Sequence, residues 1–345
     1  MNKLLTIVVP AYNVEKYIER CLDSFINEKI LETIEILVVD DGGNDKTLSI
    51  AEKYAIKYPD TIIPIHKENG GHGSVINYGI EHAKGKYFKV VDGDDWIDSE
   101  ELWKLLNKIK KEKLDVDVIF SDYIKEYKYN NSKKIFSLKE SFDEDKIMNL
   151  TDTKYNKDMR IEIHSLIYNT NMLRSEKIRF LEKTFYEDTE YVLFPLAKNR
   201  KIIYLPNPIY HYFIGRPEQS VSIDSVIKHL DDQFRVIDSI LNFYDKMKID
   251  ENENKIKEIW ESRLISTIKY RYTILIKAYP QKEDEIKKFD KYLIEKNYKI
   301  YEKLSQQNEF IKFGRKTNFK HMKIINFVMK TEEKMKNFRR KNEEK

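Results

Sequence analysis

The chain has 345 residues, 41% of them hydrophobic and 35% charged, enough for one large domain with an appendage or for two domains. A net charge of +4 does not mark the whole chain as a nucleic-acid binder, and a single cysteine, Cys21, excludes a disulfide framework and any Cys-rich zinc site. No apolar run approaches the ~20 residues that span a bilayer. Met1–Leu5 enters a strand pattern without a signal-peptide region, so the chain reads as cytoplasmic.

The first half alternates strands and helices. Leu5–Val9 is a continuous apolar run of buried parallel-strand type, stopped by Pro10. Glu15–Ile26 has helical spacing, with Tyr17, Ile18, Cys21, Leu22 and Phe25 on one face. A second strand, Ile34–Val39, runs into the turn cluster Asp40–Asp45, and a helix follows from Lys46 to Tyr58. Next come a short strand (Ile62–His66), a Gly-rich loop (Glu68–Gly73) and a helix through Val75, Ile76, Tyr78 and Ile80. Gly85 ends that helix, and the strand Lys86–Val91 runs into Asp92-Gly93-Asp94-Asp95-Trp96. Strands alternating with helices of this length predict an α/β fold: a Rossmann-like, mostly parallel sheet flanked by helices.

After Asp117–Phe120 the pattern loosens, and residues 123–157 are polar enough to hold a hairpin or an insertion. A second ordered block, Arg160–Ser222, carries short strands (Ile202–Leu205, Ile209–Ile214) and the acidic pair Glu187-Asp188. From Val226 onward Gly and Pro nearly vanish and the spacing becomes helical, ending in a strongly basic tail. These shifts place one domain at residues 1–222 and a C-terminal helical region at 223–345.

The chemistry gathers at the strand ends. Three carboxylates crowded after one apolar run repel unless a cation neutralises them, and hard divalent ions bridge such carboxylates to phosphates. The plain alternative is a solvated acidic turn that caps the next helix through Asp98 or Ser99. The first strand runs into Pro10-Ala11-Tyr12-Asn13 and the second into Asp40-Asp41, so all three ends aim at the carboxyl edge where open α/β sheets bind ligands.

The segments TIVVPAYNVEKYIERCLDSF, EILVVDDGGNDKT, NGGHGSVINYGIEHAKGKYFKVVDGDDW and FYEDTEYVLFPL, in this order and spacing, resemble family 2 glycosyltransferases of the GT-A fold. The resemblance spans residues 4–220 and leaves the C-terminal third uncovered. It implies that Pro10, Ala11 and Tyr12 line the nucleotide base and that Asp40 or Asp41 holds the base or ribose. Asp92, Gly93 and Asp94 then form the DxD turn. Asp92 lies near the ribose, Asp94 coordinates an Mn²⁺ or Mg²⁺ ion that bridges the diphosphate, and Asp95 supports the metal shell or the turn. Asp188 matches the catalytic base, where the alternative is a helix-start charge pair with Glu187.

Relatives often carry Ala-Arg-Asn where this chain has Val75-Ile76-Asn77, so Lys67, His72 or Ser74 is expected to meet the nucleotide instead. His72 could equally be a turn residue. The stretch Tyr210–Ser220 resembles the family's closing strand and loop. In it His211 would complete the metal shell, or be a satisfied strand histidine, and Arg216 would clamp the diphosphate. His164 lines an acceptor pocket or is buried structurally, and Trp96 and Trp103 stack on sugar or pack the helix.

The implied activity is inverting, metal-dependent transfer of a hexosyl or N-acetylhexosaminyl group from a nucleotide diphosphate sugar, a UDP-sugar by preference. The acceptor would be a saccharide, a lipid-linked sugar or a polymer in cell-surface polysaccharide, glycolipid or teichoic-acid-type synthesis, and no nucleic acid is involved. Phe310–Lys316 and Ile324–Met329 mix aromatic and basic residues. They suit a peripheral contact with the inner face of an anionic membrane, a solvated helical tail or a homo-oligomer contact. Three rivals remain. One is a nucleotidyltransferase, which would need a Gly-rich basic loop where Pro10–Asn13 stands; another is a degenerate GT-A fold that only binds nucleotide sugar or acts as a scaffold; the weakest is a basic tail that binds nucleic acid, which predicts retention that falls steeply with salt.

Overall fold

The computed structural model describes residues 3–154, 161–216, 223–247, 254–329 and 331. Arg160, the loop Pro217–Ser220, Ser222 and the basic residues beyond 331 lie outside these. The first half alternates β1 (Leu5–Ala11), α1 (Ile18–Asp23), β2 (Ile34–Asp40), α2 (Thr47–Lys57), β3 (Ile62–His66), α3 (His72–His82) and β4 (Tyr87–Val90). The four strands pair in parallel in the order β3-β2-β1-β4. β1 and β2 are rich in Val, Ile and Leu, and β4 is Tyr-Phe-Lys-Val, because both faces of all three are buried.

Two local expectations shift. Strand β1 runs through Pro10 instead of stopping there. Its pairing with β4 ends at Val8, so Pro10 flanks only β2 and its missing N–H leaves no ladder bond broken. Helix α1 is shorter than expected, because turns at Val14–Tyr17 and Leu22–Asn27 take both ends, yet Ile18, Cys21, Leu22 and Phe25 are all buried.

Beyond the acidic turn come β5 (Trp96–Ile97) and α4 (Ser99–Lys111), with Asp98 as N-cap accepting from the N–H of Glu100 and of Glu101. The polar region contains a hairpin of β6 (Val118–Tyr127) and β7 (Ser132–Phe136), then β8 (Met148–Asn149), β9 (Leu166–Asn169), α5 (Thr170–Ser175), α6 (Asp188–Leu193) and β10 (Lys201–Ile214). The two short strands expected here are one strand, β10, whose register against β6 slips at Pro206–Pro208. The sheet is mixed: β9 enters antiparallel between β4 and β6, and β10 runs parallel to β6. This mixed sheet with flanking helices is the GT-A arrangement.

The chain divides into two compact units, Met1–Gln219 with Lys246–Trp260 and Ser220–Asp245 with Glu261–Lys345. The second unit is helical, with α7 (Ile223–Lys228), α8 (Leu230–Lys246) as far as Asp245, α9 (Asn254–Lys277) from Glu261 onward, α10 (Glu283–Lys296), α11 (Tyr298–Gln307) and α12 (Glu309–Lys316). Arg315 ties three of its helices together. Its guanidinium lies 3.4 Å from the Tyr301 ring centre and donates to Asp290 Oδ1 at 2.7 Å, the oxygen that also accepts the Tyr272 hydroxyl. Ile324, Phe327 and Val328 share one helical face and are exposed. Among the described residues no helix is long and apolar enough to cross a membrane.

Lys89 of β4 is fully buried, donating its Nζ to His164 O at 2.7 Å. Burial pushes its ammonium down from 10.5 to about 7. Between those values the unfolded chain holds a proton that the folded chain lacks, so this group makes stability rise with pH across the window. Urea denaturation from pH 7 upward is expected to show the wild-type protein gaining on Lys89→Met as pH rises. A pH-independent difference would contradict the assignment.

Candidate active site

The acidic turn is built by close approach of two strand ends. Gly93 N donates to Pro10 O at 3.1 Å, and a Cβ on Gly93 would lie 3.0 Å from the same oxygen, so a side chain there would crowd the turn. Each carboxylate that follows is satisfied differently. Asp95 is wholly buried and accepts the Tyr210 hydroxyl at 2.6 Å and the Phe213 N–H at 2.8 Å. Burial, then the charges of Asp94 and Asp92, push its carboxyl well above the usual range.

Asp94 has a looser partner. Arg216 Nε lies 2.6 Å from Asp94 Oδ2, but the N–H is not aligned as a hydrogen bond, so the contact is an ion pair. Burial and the neighbouring Asp92 push the Asp94 carboxyl up to about 6, with Arg216 opposing. Arg20 donates to the Asp94 carbonyl at 2.8 Å while its guanidinium lies 3.8 Å from the Trp96 ring centre. Asp92 is the most open of the three and meets His72 Nε2 at 2.9 Å. Burial acts to raise its carboxyl, but His72, by hydrogen bond and charge, holds it below the ordinary value.

The ends of β1 and β2 lie at the same edge. Tyr12 is exposed, beside half-buried Pro10 and buried Ala11. Asp40 accepts from the Gly43 N–H at 3.1 Å and meets His66 Nδ1 at 2.6 Å. Asp41 accepts from Lys67 Nζ at 2.7 Å and from the N–H groups of Gly70 and Gly71 at 3.0 and 2.7 Å. Lys67 also donates to Glu68 O and Ser74 Oγ. Asp41 and Lys67 thus shape the Gly-rich loop in this structure.

A third segment completes the cluster. Asp188 opens α6 and is half-buried, with Glu187 buried before it. The Tyr212 hydroxyl reports the gathering, since burial and the charges of Asp95, Asp92, Asp94 and Asp188 all raise its pKa. His72 Nδ1 meets Glu187 Oε1 at 2.5 Å while its Nε2 faces Asp92. Burial acts to lower the His72 pKa, but Glu187 and Asp92 outweigh it and hold the imidazole well above its ordinary value.

Metal ligation can be tested against this donor set. Asp92, Asp95 and His164 offer ligand atoms within 4.8 Å of one another. Asp95 already has a donor on each oxygen, however, and His164 is buried among Tyr123, Tyr210 and Tyr212, its pKa lowered to about 4 by burial. His211 sits across the β5–β10 ladder from Trp96, two residues past Asp94, and stacks on that ring. Its Nδ1 meets Glu126 Oε1 at 2.8 Å. The carboxylates of the turn are hard oxygen donors of the type that Mn²⁺ or Mg²⁺ takes, and His211 has one ring nitrogen held by a carboxylate.

The sequence did not point to Tyr210, Arg20 or Glu126. The period-2 alternation of β10 puts Tyr210 and Tyr212 on one face and His211 on the other, but which face meets the acidic turn depends on the β5 pairing. Trp103 packs against the core, as one of its two readings held.

Comparisons with known proteins agree with this geometry. The profile of "Glycosyl transferase family 2" matches residues 6–180. "Putative glycosyltransferase EpsH" of Bacillus subtilis is 28% identical over 61% of this chain and 60% of its own length. "Minor teichoic acid biosynthesis protein GgaB" of the same organism is 35% identical over 34% of this chain and 13% of its own length, so the chain spans less than two thirds of either relative. The crystal structure of S. aureus TarS 1–349 with UDP-GlcNAc superposes with a TM-score of 0.66 at 21% identity, covering 95% of this chain and 92% of that one, which shows the shared fold. With the family profile matching half of its length and its strand ends built as described, this chain belongs to glycosyl transferase family 2.

Proposed function

We propose that the chain is a metal-dependent, inverting glycosyltransferase that moves a sugar from a nucleotide diphosphate sugar, a UDP-sugar, to an acceptor hydroxyl. The observation that carries this reading is the His72 bridge, which brings Glu187, the residue before Asp188, up to Asp92 in the acidic turn after β4, so that carboxylates from two distant segments meet there. Asp188 is the base that takes the proton from the acceptor hydroxyl as its oxygen attacks the anomeric carbon. One displacement with one base inverts that carbon. Pro10, Ala11 and Tyr12 line the base of the nucleotide, and Asp40 bonds the base or ribose while Asp41 and Lys67 hold the loop beside it.

Asp94 and His211 are the residues that would hold the divalent ion, which when bound supplies Lewis-acid neutralisation of the departing diphosphate. Arg216, bound to Asp94 only by charge, is free to turn to the diphosphate instead. The UDP-GlcNAc bound to TarS and the teichoic-acid role in the name of GgaB support a UDP-sugar donor and a cell-surface polymer, glycolipid or polysaccharide acceptor. The exposed row Ile324, Phe327 and Val328 beside exposed Lys320 and Lys323 suits the surface of an anionic membrane, where lipid-linked acceptors lie.

A panel of nucleotide sugars incubated with Mn²⁺, Mg²⁺ or EDTA is expected to show slow release of UDP from one donor, abolished by EDTA. Asp94→Asn should lose the metal-dependent release, and Asp188→Asn should lower kcat by ~10²–10⁴-fold with UDP binding retained. Absence of binding to every nucleotide sugar would contradict the reading. In sedimentation with vesicles, retention is expected on anionic but not neutral lipid and should be lost in Ile324→Asp/Phe327→Asp; equal retention on both would exclude an electrostatic membrane contact.

A further inference from the structure

The Gly-rich loop and the start of α3 lie along the segment that leads to Asp188, and the sequence dictates that closeness. A Cβ on Gly73 would overlap Leu181 O, and one on Gly71, at φ +82°, would lie 3.1 Å from Lys183 N. Lys183 N donates to Gly70 O at 2.5 Å. The Asn77 side chain donates to Phe180 O and accepts from Phe180 N, each at 2.9 Å, completing a strand-like pair with that residue. These contacts hold residues 180–183.

Beyond them Tyr186 adopts φ 73°, a left-handed conformation that a bulky residue avoids unless its neighbours are fixed. What fixes Glu187 is His72: among the described residues the Glu187 carboxylate has one hydrogen-bond partner, His72 Nδ1 at 2.5 Å. The opposite nitrogen of the same ring meets Asp92 Oδ1 at 2.9 Å. Carboxylates only accept, so each contact needs an N–H, and imidazolium is the side chain that offers two in opposed directions. Glutamine or asparagine could serve one carboxylate but would turn its own oxygen toward the other.

We propose that His72 is a positioning residue, a clasp that ties Asp92 at the donor edge of the sheet to Glu187 and thereby sets the place of Asp188. The proposal rests on the glycosyl-transfer reading for its kinetic consequence, not for its structural one. His72 touches neither the acceptor nor the leaving group in this account. Its removal leaves Asp92 and Glu187 facing each other with no cation between them, and the segment carrying Asp188 loses its tie to the turn that holds the donor.

The test combines hydrogen exchange with kinetics on the full chain, in wild type, His72→Gln, His72→Ala and Glu187→Gln. Amide exchange in peptides covering 181–191 is expected to rise ~10-fold or more in His72→Ala and Glu187→Gln and less in His72→Gln, while α2 and the β6–β7 hairpin keep their protection. The double variant His72→Ala/Glu187→Gln should be no worse than the poorer single one, because both break the same tie. For hydrolysis of the sugar nucleotide that wild type accepts, kcat should fall ~10-fold or more with KM within ~3-fold. Unchanged exchange at 181–191 would overturn the proposal, as would additive effects in the double variant or a rise in KM at constant kcat. If wild type binds no sugar nucleotide, the glycosyl-transfer reading falls, and the exchange experiment still decides the clasp.

Discussion

Mutual repulsion among the carboxylates at the end of β4 is the constraint around which the rest of the site is arranged. Ligand atoms of Asp92 and Asp95 lie within 4.8 Å, where two ionised carboxylates at an effective dielectric of ~20 repel by roughly 3 kcal/mol. A buried strand end cannot leave that to solvent. The protein answers with a different partner for each acid. Two neutral donors enclose Asp95, a charged imidazole meets Asp92, and a guanidinium lies against Asp94. Only the last is loose, which is why the proposed reading gives the arriving cation to Asp94.

Much of the surrounding architecture serves this arrangement. β10 brings Tyr210, His211, the Phe213 N–H and Arg216 to the turn in one pass, because it pairs with β5 directly after the acids. The Gly-rich loop, drawn in by Asp41 and Lys67, sets α3 so that His72 starts the helix between Asp92 and Glu187.

The local pattern carried the parallel half of the fold, since β1 to β4 are short, largely apolar runs bounded by Gly, Pro and Asp and alternate with helical spacing. The antiparallel entry of β9 was not legible, because a strand of four residues, three of them buried, gives no sign of direction. Pro206–Pro208 read as a break between two strands, yet the ladder to β6 absorbs the slip. In the site, Asp92, Asp94 and Asp188 stand out as acids at strand or helix ends, whereas the partners that decide their chemistry come from elements distant in sequence. His72 shows this best: among glycines it looks like a turn residue, and only the approach of 181–187 to α3 gives its two nitrogens their roles.

The most direct test of this account is a crystal structure of the chain grown with UDP and Mn²⁺. The account predicts an ion on Asp94 beside the diphosphate, Arg216 moved off Asp94, and Asp95 still bonded to Tyr210 and Phe213. An intact Asp94–Arg216 pair with the ion elsewhere, or with UDP bound away from the strand ends, would contradict it.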